Sequence, residues 1–225
     1  MQHNPIPFMR NLLLLASVLL LEFTAVAQDP RRFETEVTNL VAGDASIKKK
    51  NLILFTGSSS VRLWRPDIAS SFPDKNVLNR GFGGSHMSDL IYYFDKLILP
   101  YHAKQIIIYE GDNDLASGKT PEQIMQQTDS LLHLIRKKVS RRVNVVFIAA
   151  KPSLARWNLR ETYTTFNGML KAWAKKNKHV TYADVWTPML DASGKVKDDL
   201  FIEDGLHMKA NGYEIWARVL APYLK

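Results

Sequence analysis

The chain has 225 residues, the length of one domain or two small ones. Apolar residues make up 46% and charged residues 23%, which excludes a disordered chain, a collagen and a multi-span membrane protein. There are 30 Lys and Arg against 22 Asp and Glu, a net charge of +8, and no Cys, so a disulfide scaffold, a Cys-ligated zinc and a thiol nucleophile are excluded.

Residues 1–27 read as a signal peptide. Arg10 supplies the positive start, Leu12 to Leu21 the apolar run, and Ala25-Val26-Ala27 a small-x-small cleavage site. The run ends at Glu22, short of the roughly 20 residues that a membrane span needs. The expectation is export to the periplasm or beyond, with no stable membrane insertion. The absence of Cys also removes a lipoprotein anchor. The mature chain, residues 28–225, shows no repeat, low-complexity tract or linker and is read as one domain.

The mature part alternates helix and strand patterns. A helix is expected over residues 31–42, with Phe33, Val37, Leu40 and Val41 inward. Asn51 to Thr56, Gln105 to Tyr109 and Val143 to Ile148 are short apolar runs. Val77-Leu78 and Val180 to Tyr182 are weaker ones. Continuous β-branched runs suit strands buried on both faces of a parallel sheet. Thr120-Pro121 opens a helix, with Thr as N-cap, Pro at the first helical position and Gln123 completing a capping box. Its apolar stripe is Ile124, Leu131, Leu132, Ile135 and Val139. Further helices are expected over residues 161–176 and 209–220. This alternation gives a three-layer α/β/α sandwich. The basic runs Lys48–Lys50, Arg136–Lys138 and Arg141-Arg142 sit at element ends, where cations meet helix C-termini and water. They lack the interleaved aromatics of a nucleic-acid face, so no nucleic-acid partner is expected. A weak attraction to acidic polysaccharide fits them.

In such a sheet a site lies beyond the carboxyl ends of the strands. Four polar or Gly-rich patches fall there or at a helix start: Gly57-Ser58-Ser59-Ser60, Asn79 to Ser85, Glu110 to Asp114 and Asp204-Gly205-Leu206-His207. A serine hydroxyl becomes a nucleophile when an imidazole takes its proton and a carboxylate holds that imidazole. Asp204 and His207, three apart, can meet within one local turn. A Gly N–H at Gly84 and the amide of Asn113 can serve as oxyanion donors. The reaction that uses all of these groups is acyl transfer from an ester or thioester. Other chemistries do not fit. Gly57 to Val61 lacks the second Gly of the Gly-x-Ser-x-Gly elbow. Gly81-x-Gly83-x-x-His86 lacks the third Gly of a dinucleotide fingerprint. The six His form no His-x-x-x-His pair, so neither metal nor cofactor is expected.

These four blocks, in this order, resemble the GDSL-type, or SGNH, serine hydrolases from about Asn51 to Leu220. The resemblance implies a flavodoxin-like sandwich with a five-stranded parallel sheet. It implies Ser59 as nucleophile, His207 as base and Asp204 as its orienting carboxylate. The N–H groups of Ser59 and Gly84 and the amide of Asn113 would form the oxyanion hole. Ser58 stands where the family motif has Asp, so three serines run in a row. The segment Lys151 to Trp157 follows a strand end and should overhang the site. Arg156 is a candidate for an anionic substrate group, Trp157 for a sugar face and His86 for the pocket wall. Trp64, Trp173, Trp186 and Trp216 are expected in the core. Ser58 and Ser60 are expected to cap the following helix. The function expected is a secreted esterase acting on small-molecule or glycan esters with a short acyl group such as acetyl. An O-acyltransferase using the same groups, and a non-catalytic carbohydrate-binding protein, are the alternatives.

Overall fold

The computed structural model describes residues 29–64 and 68–225. The expected signal peptide lies outside the described residues. Five strands form one all-parallel sheet: β1 (Ile53–Gly57), β2 (Val77–Gly81), β3 (Gln105–Tyr109), β4 (Asn144–Ile148) and β5 (Val180–Ala183). Their order across the sheet is β2-β1-β3-β4-β5, so the winding reverses at β1 and β3. In parallel α/β sheets that reversal opens a crevice at the carboxyl edge.

The helices, in chain order, are α1 (Glu34–Val41), α2 (Ser59–Leu63), α3 (Ile68–Ser71), α4 (Met87–Tyr92), α5 (Phe94–Leu97), α6 (Asp112–Ala116), α7 (Pro121–Lys138), α8 (Arg160–Lys176) and α9 (Ala210–Leu220). Alternation along the strands divides the core in two. Leu54, Ile106, Ile108, Val145 and Phe147 face a layer built by α1, α4, α5, α7 and α8. Ile53, Phe55, Ile107, Tyr109, Val146 and Ile148 face the layer of α2, α3 and α9. Both faces are covered, which is why the strands read as unbroken apolar runs.

The long helices begin and end close to where the sequence places them. Thr120 and Gln123 make the reciprocal capping box, at 3.3 and 2.9 Å. The predicted N-terminal helix is a 3-10 turn (Pro30–Phe33) followed by α1. Trp64 and Trp216 are buried at the centre of the second layer. Trp173 and Trp186, expected in the core, are only half-buried at its margin. No described helix is long and apolar enough to cross a membrane.

Candidate active site

Gly57 ends β1 with φ +119°, and a Cβ there would stand 2.0 Å from the Tyr109 carbonyl oxygen. Only glycine lets β1 run this close to β3 and then turn sharply. Ser58 follows, its N–H donating to Tyr109 O at 3.0 Å. The turn sets Ser59 as the first residue of α2. Of the three serines, Ser58 and Ser60 are buried and Ser59 is half-buried. Ser58 occupies the N-cap position, but its hydroxyl makes no capping bond, and Ser60 lies inside the helix.

His207 approaches from the other side of the crevice. It lies in a loop before α9, not in the helix itself; the loop is pinned by Ile202 N–H donating to His207 O at 2.9 Å. Its Nε2 is 3.0 Å from Ser59 Oγ, and its Nδ1 is 2.6 Å from Asp204 Oδ2. Asp204 Oδ1 also accepts the backbone N–H groups of Leu206 and His207, at 2.8 and 2.9 Å. Desolvation works against ionisation of Asp204, but the His207 N–H, the imidazole and the Leu206 N–H outweigh it and hold its pKa down to about 2. An ionised carboxylate only accepts, so it selects the Nδ1–H tautomer and leaves Nε2 to accept from the Ser59 hydroxyl.

The β2 end supplies the second block. Gly83 N–H donates to Glu36 Oε1 of α1 at 3.0 Å, and Phe82 packs edge-on against Phe33. Gly84 is exposed beside Ser85, and a Cβ on it would stand 3.9 Å from Asn113 Nδ2. Gly84 and Asn113 therefore adjoin. Asn113 sits in α6, straight after the left-handed Gly111 that turns the chain out of β3. Its Nδ2 donates to Ser85 O at 3.0 Å, which leaves its second N–H available. Its Oδ1 accepts from Arg156 Nη2, also at 3.0 Å.

Behind Asn113 lies a buried charged network. Asp112 accepts from Arg156 Nη1 at 2.6 Å, Tyr163 Oη at 2.6 Å, Tyr109 Oη at 2.7 Å and Lys151 Nζ at 3.3 Å. Burial alone would raise the Asp112 pKa. Lys151, Arg156 and the two phenols overturn that and hold it well below the usual carboxylate range. Lys151 is fully buried, and desolvation pushes its ammonium down against the pull of Asp112. The Arg156 guanidinium is thus engaged by Asp112 and Asn113 instead of standing free for an anionic substrate group.

The other two pocket candidates separate. Trp157 stacks on Trp186 at 6.0 Å between ring centroids, both half-buried beyond the carboxyl ends of β4 and β5. His86 is buried at the head of α4, its Nδ1 3.8 Å from Asp114 Oδ1, and desolvation lowers its pKa. Its ring is therefore turned toward Asp114 and away from solvent. Four residues that support the site were not singled out from sequence: Glu36, Ser85, Glu110 and Asp112. Ser85, Glu110 and Asp112 lie inside the polar patches at the strand ends, whereas Glu36, on α1, carried no signal. No group of three or more metal-binding side chains occurs among the described residues.

A flavodoxin-like sheet with these blocks at its carboxyl edge defines an acylhydrolase. The sequence matches the GDSL-like lipase/acylhydrolase family over residues 44–215, and the chain belongs to that family. No curated protein sequence matches it. Among solved structures, a protein from Streptococcus pneumoniae described as a platelet activating factor aligns with TM-score 0.74 and 19% identity, over 87% of this chain and 92% of that one. A GDSL-like lipase from Bacteroides thetaiotaomicron gives 0.71 and 18%, over 87% and 97%. A catalytic mutant of an acetylxylan esterase from Geobacillus stearothermophilus gives 0.64 and 14%, over 77% and 94%. At these identities the likeness is one of fold.

Proposed function

We propose that the protein is an exported serine esterase that cleaves short-acyl esters, acetyl above all, from carbohydrates. The observation that carries the reading is the hydrogen-bonded line from Ser59 through His207 to Asp204. In it His207 Nε2 takes the hydroxyl proton as Ser59 Oγ attacks the acyl carbon. The new oxyanion is met by the N–H groups of Ser59 and Gly84 and the free N–H of Asn113. His207 then passes its proton to the leaving alcohol. Water, activated by the same imidazole, clears the acyl-enzyme. Asp204 stays ionised throughout and stabilises the imidazolium.

Two features favour a bulky alcohol and a small acyl group. The His207 and Asp204 side chains remain 24% and 42% exposed, so the site is shallow and a polymer can reach it. The Trp157–Trp186 pair offers a broad apolar ring face near the His207 loop, since Ala155 N–H donates to Gly205 O at 3.0 Å. The acetylxylan esterase among the fold relatives agrees with this substrate class. Residues 1–27 direct export and are removed after Ala27, so the intact mass of the exported protein should correspond to a chain starting at Gln28.

The test is hydrolysis of p-nitrophenyl esters from acetate to octanoate and of acetylated xylan, by the mature protein and by Ser59→Ala. The expected result is fastest cleavage of acetate, acetate release from xylan, and a loss of roughly 10³- to 10⁶-fold in Ser59→Ala. Undiminished activity in Ser59→Ala would overturn the assignment of the nucleophile. Octanoate as the best ester, with inert xylan, would overturn the substrate class.

A further inference from the structure

Asn113 has two amide ends, and each is held by a different element. Nδ2 gives one hydrogen to the Ser85 carbonyl of the β2 loop, and Oδ1 takes one from Arg156 of the β4 loop. An unclamped amide can rotate and present its oxygen where an N–H is needed. An oxygen there would repel a developing oxyanion. The Ser85 carbonyl opposes that rotation at one end and Arg156 at the other, because a carbonyl only accepts and a guanidinium only donates, so the latter can pair only with Oδ1. Arg156 is itself fixed. Its other terminal nitrogen is 2.6 Å from Asp112 Oδ1, and Asp112 is further held by Tyr109, Tyr163 and Lys151. Lys151, Arg156 and Tyr163, 39 to 51 positions away, are thereby tied to the turn that follows β3.

We propose that Arg156 is a positioning residue: anchored on Asp112, it locks the Asn113 amide with an N–H facing the oxyanion. The proposal rests on the esterase reading above, in which Asn113 is an oxyanion donor. It differs from a packing role in what it predicts. Arg156 should matter to the transition state and not to the ground state, and only while Asn113 is present.

The experiment is a double-mutant cycle on p-nitrophenyl acetate with Arg156→Ala, Asn113→Ala and the pair, alongside the melting temperature of each. Loss of one oxyanion donor costs on the order of 10²- to 10³-fold in kcat. Loss of its orientation should cost part of that, about 10- to 100-fold, with KM within about twofold. In the Asn113→Ala background, Arg156→Ala should cost under about threefold. Affinity for a methylboronic acid, whose serine adduct carries an oxyanion, should fall in parallel with kcat. Added guanidinium should restore part of the activity of Arg156→Ala and none of that of Asn113→Ala. Arg156→Lys keeps the cation beside Asp112 and covers the case in which the alanine variant unfolds. It offers one donor head in place of a fork, so an intermediate kcat is expected. Costs that multiply across the cycle, or a rise in KM at constant kcat, would overturn the proposal. Because that outcome requires a wild type whose activity depends on Ser59, it is distinct from failure of the esterase reading.

Discussion

At the scale of single residues, Asp204 carries the most specific consequence. It is the most exposed member of the Ser59–His207–Asp204 line, yet it is held ionised by three hydrogen bonds within its own loop. With its pKa held down to about 2, it remains a carboxylate across the range in which such enzymes are assayed. Protonation of Asp204 should therefore not set the acid limb of the rate profile between pH 4 and pH 8. Asp204→Asn removes the charge and can turn an N–H toward Nδ1, which selects the wrong tautomer. The expected loss is roughly 10²- to 10⁴-fold in kcat at neutral pH. A variant within threefold of wild type would mean that the imidazole is oriented by something else.

At the scale of elements, the site depends on how closely three strand ends approach, and glycines set that approach. Gly57→Ala would force a Cβ against Tyr109 O and a side chain into a left-handed conformation. It should cost about 2–4 kcal/mol, through backbone strain and loss of the Ser58 N–H to Tyr109 O bond. Denaturant midpoints measure the stability, and kcat should fall with it because Ser59 is two residues on. An unchanged midpoint would mean that the strand ends part freely. The same scale explains what could be read in advance. Helices α7, α8 and α9 were legible because their apolar periods run for 11 to 18 residues, and β1, β3 and β4 because burial on both faces leaves short unbroken apolar runs. Helices α4, α5 and α6 have four to six residues, too few for a period, and were not foreseen. The blocks holding Ser59, Gly84, Asn113, Asp204 and His207 were legible as motifs. The engagement of Arg156 was not, because its partner Asp112 lies 44 positions away and local sequence carries no trace of the pairing. His86 read as a pocket residue because it follows the Gly-rich loop. The start of α4 there turns it inward.

At the scale of the whole molecule, the two acids flanking Gly111 set opposite limits on stability. Asp112 has its carboxylate stabilised in the fold, so its contribution is present above the ordinary carboxyl range and is lost as the solution turns acid. Glu110 is the reverse. It is buried, its Oε1 accepts from Ser85 Oγ at 2.6 Å, and its Oε2 has no partner. Desolvation, then the negative charges of Asp114 and Asp89, push its pKa well above 4.5, against the pull of Ser85 and Lys119. The native state therefore keeps a proton that the unfolded chain releases above about pH 4.5. Unfolding then releases a proton, so Glu110 costs stability as pH rises from that point. Glu110→Gln preserves the shape and the acceptor for Ser85 while removing the titration. At pH 4 the variant and wild type should melt alike. At pH 8 the variant should melt higher, by about 2–4 °C for each kcal/mol of relief in a chain of this size. Calorimetry at the two pH values makes the comparison within one pair of proteins. A melting difference that is the same at both would mean that Glu110 does not change protonation on unfolding. The buried link from Glu110 through Ser85 to the Asn113 amide would then carry a charge in the native enzyme.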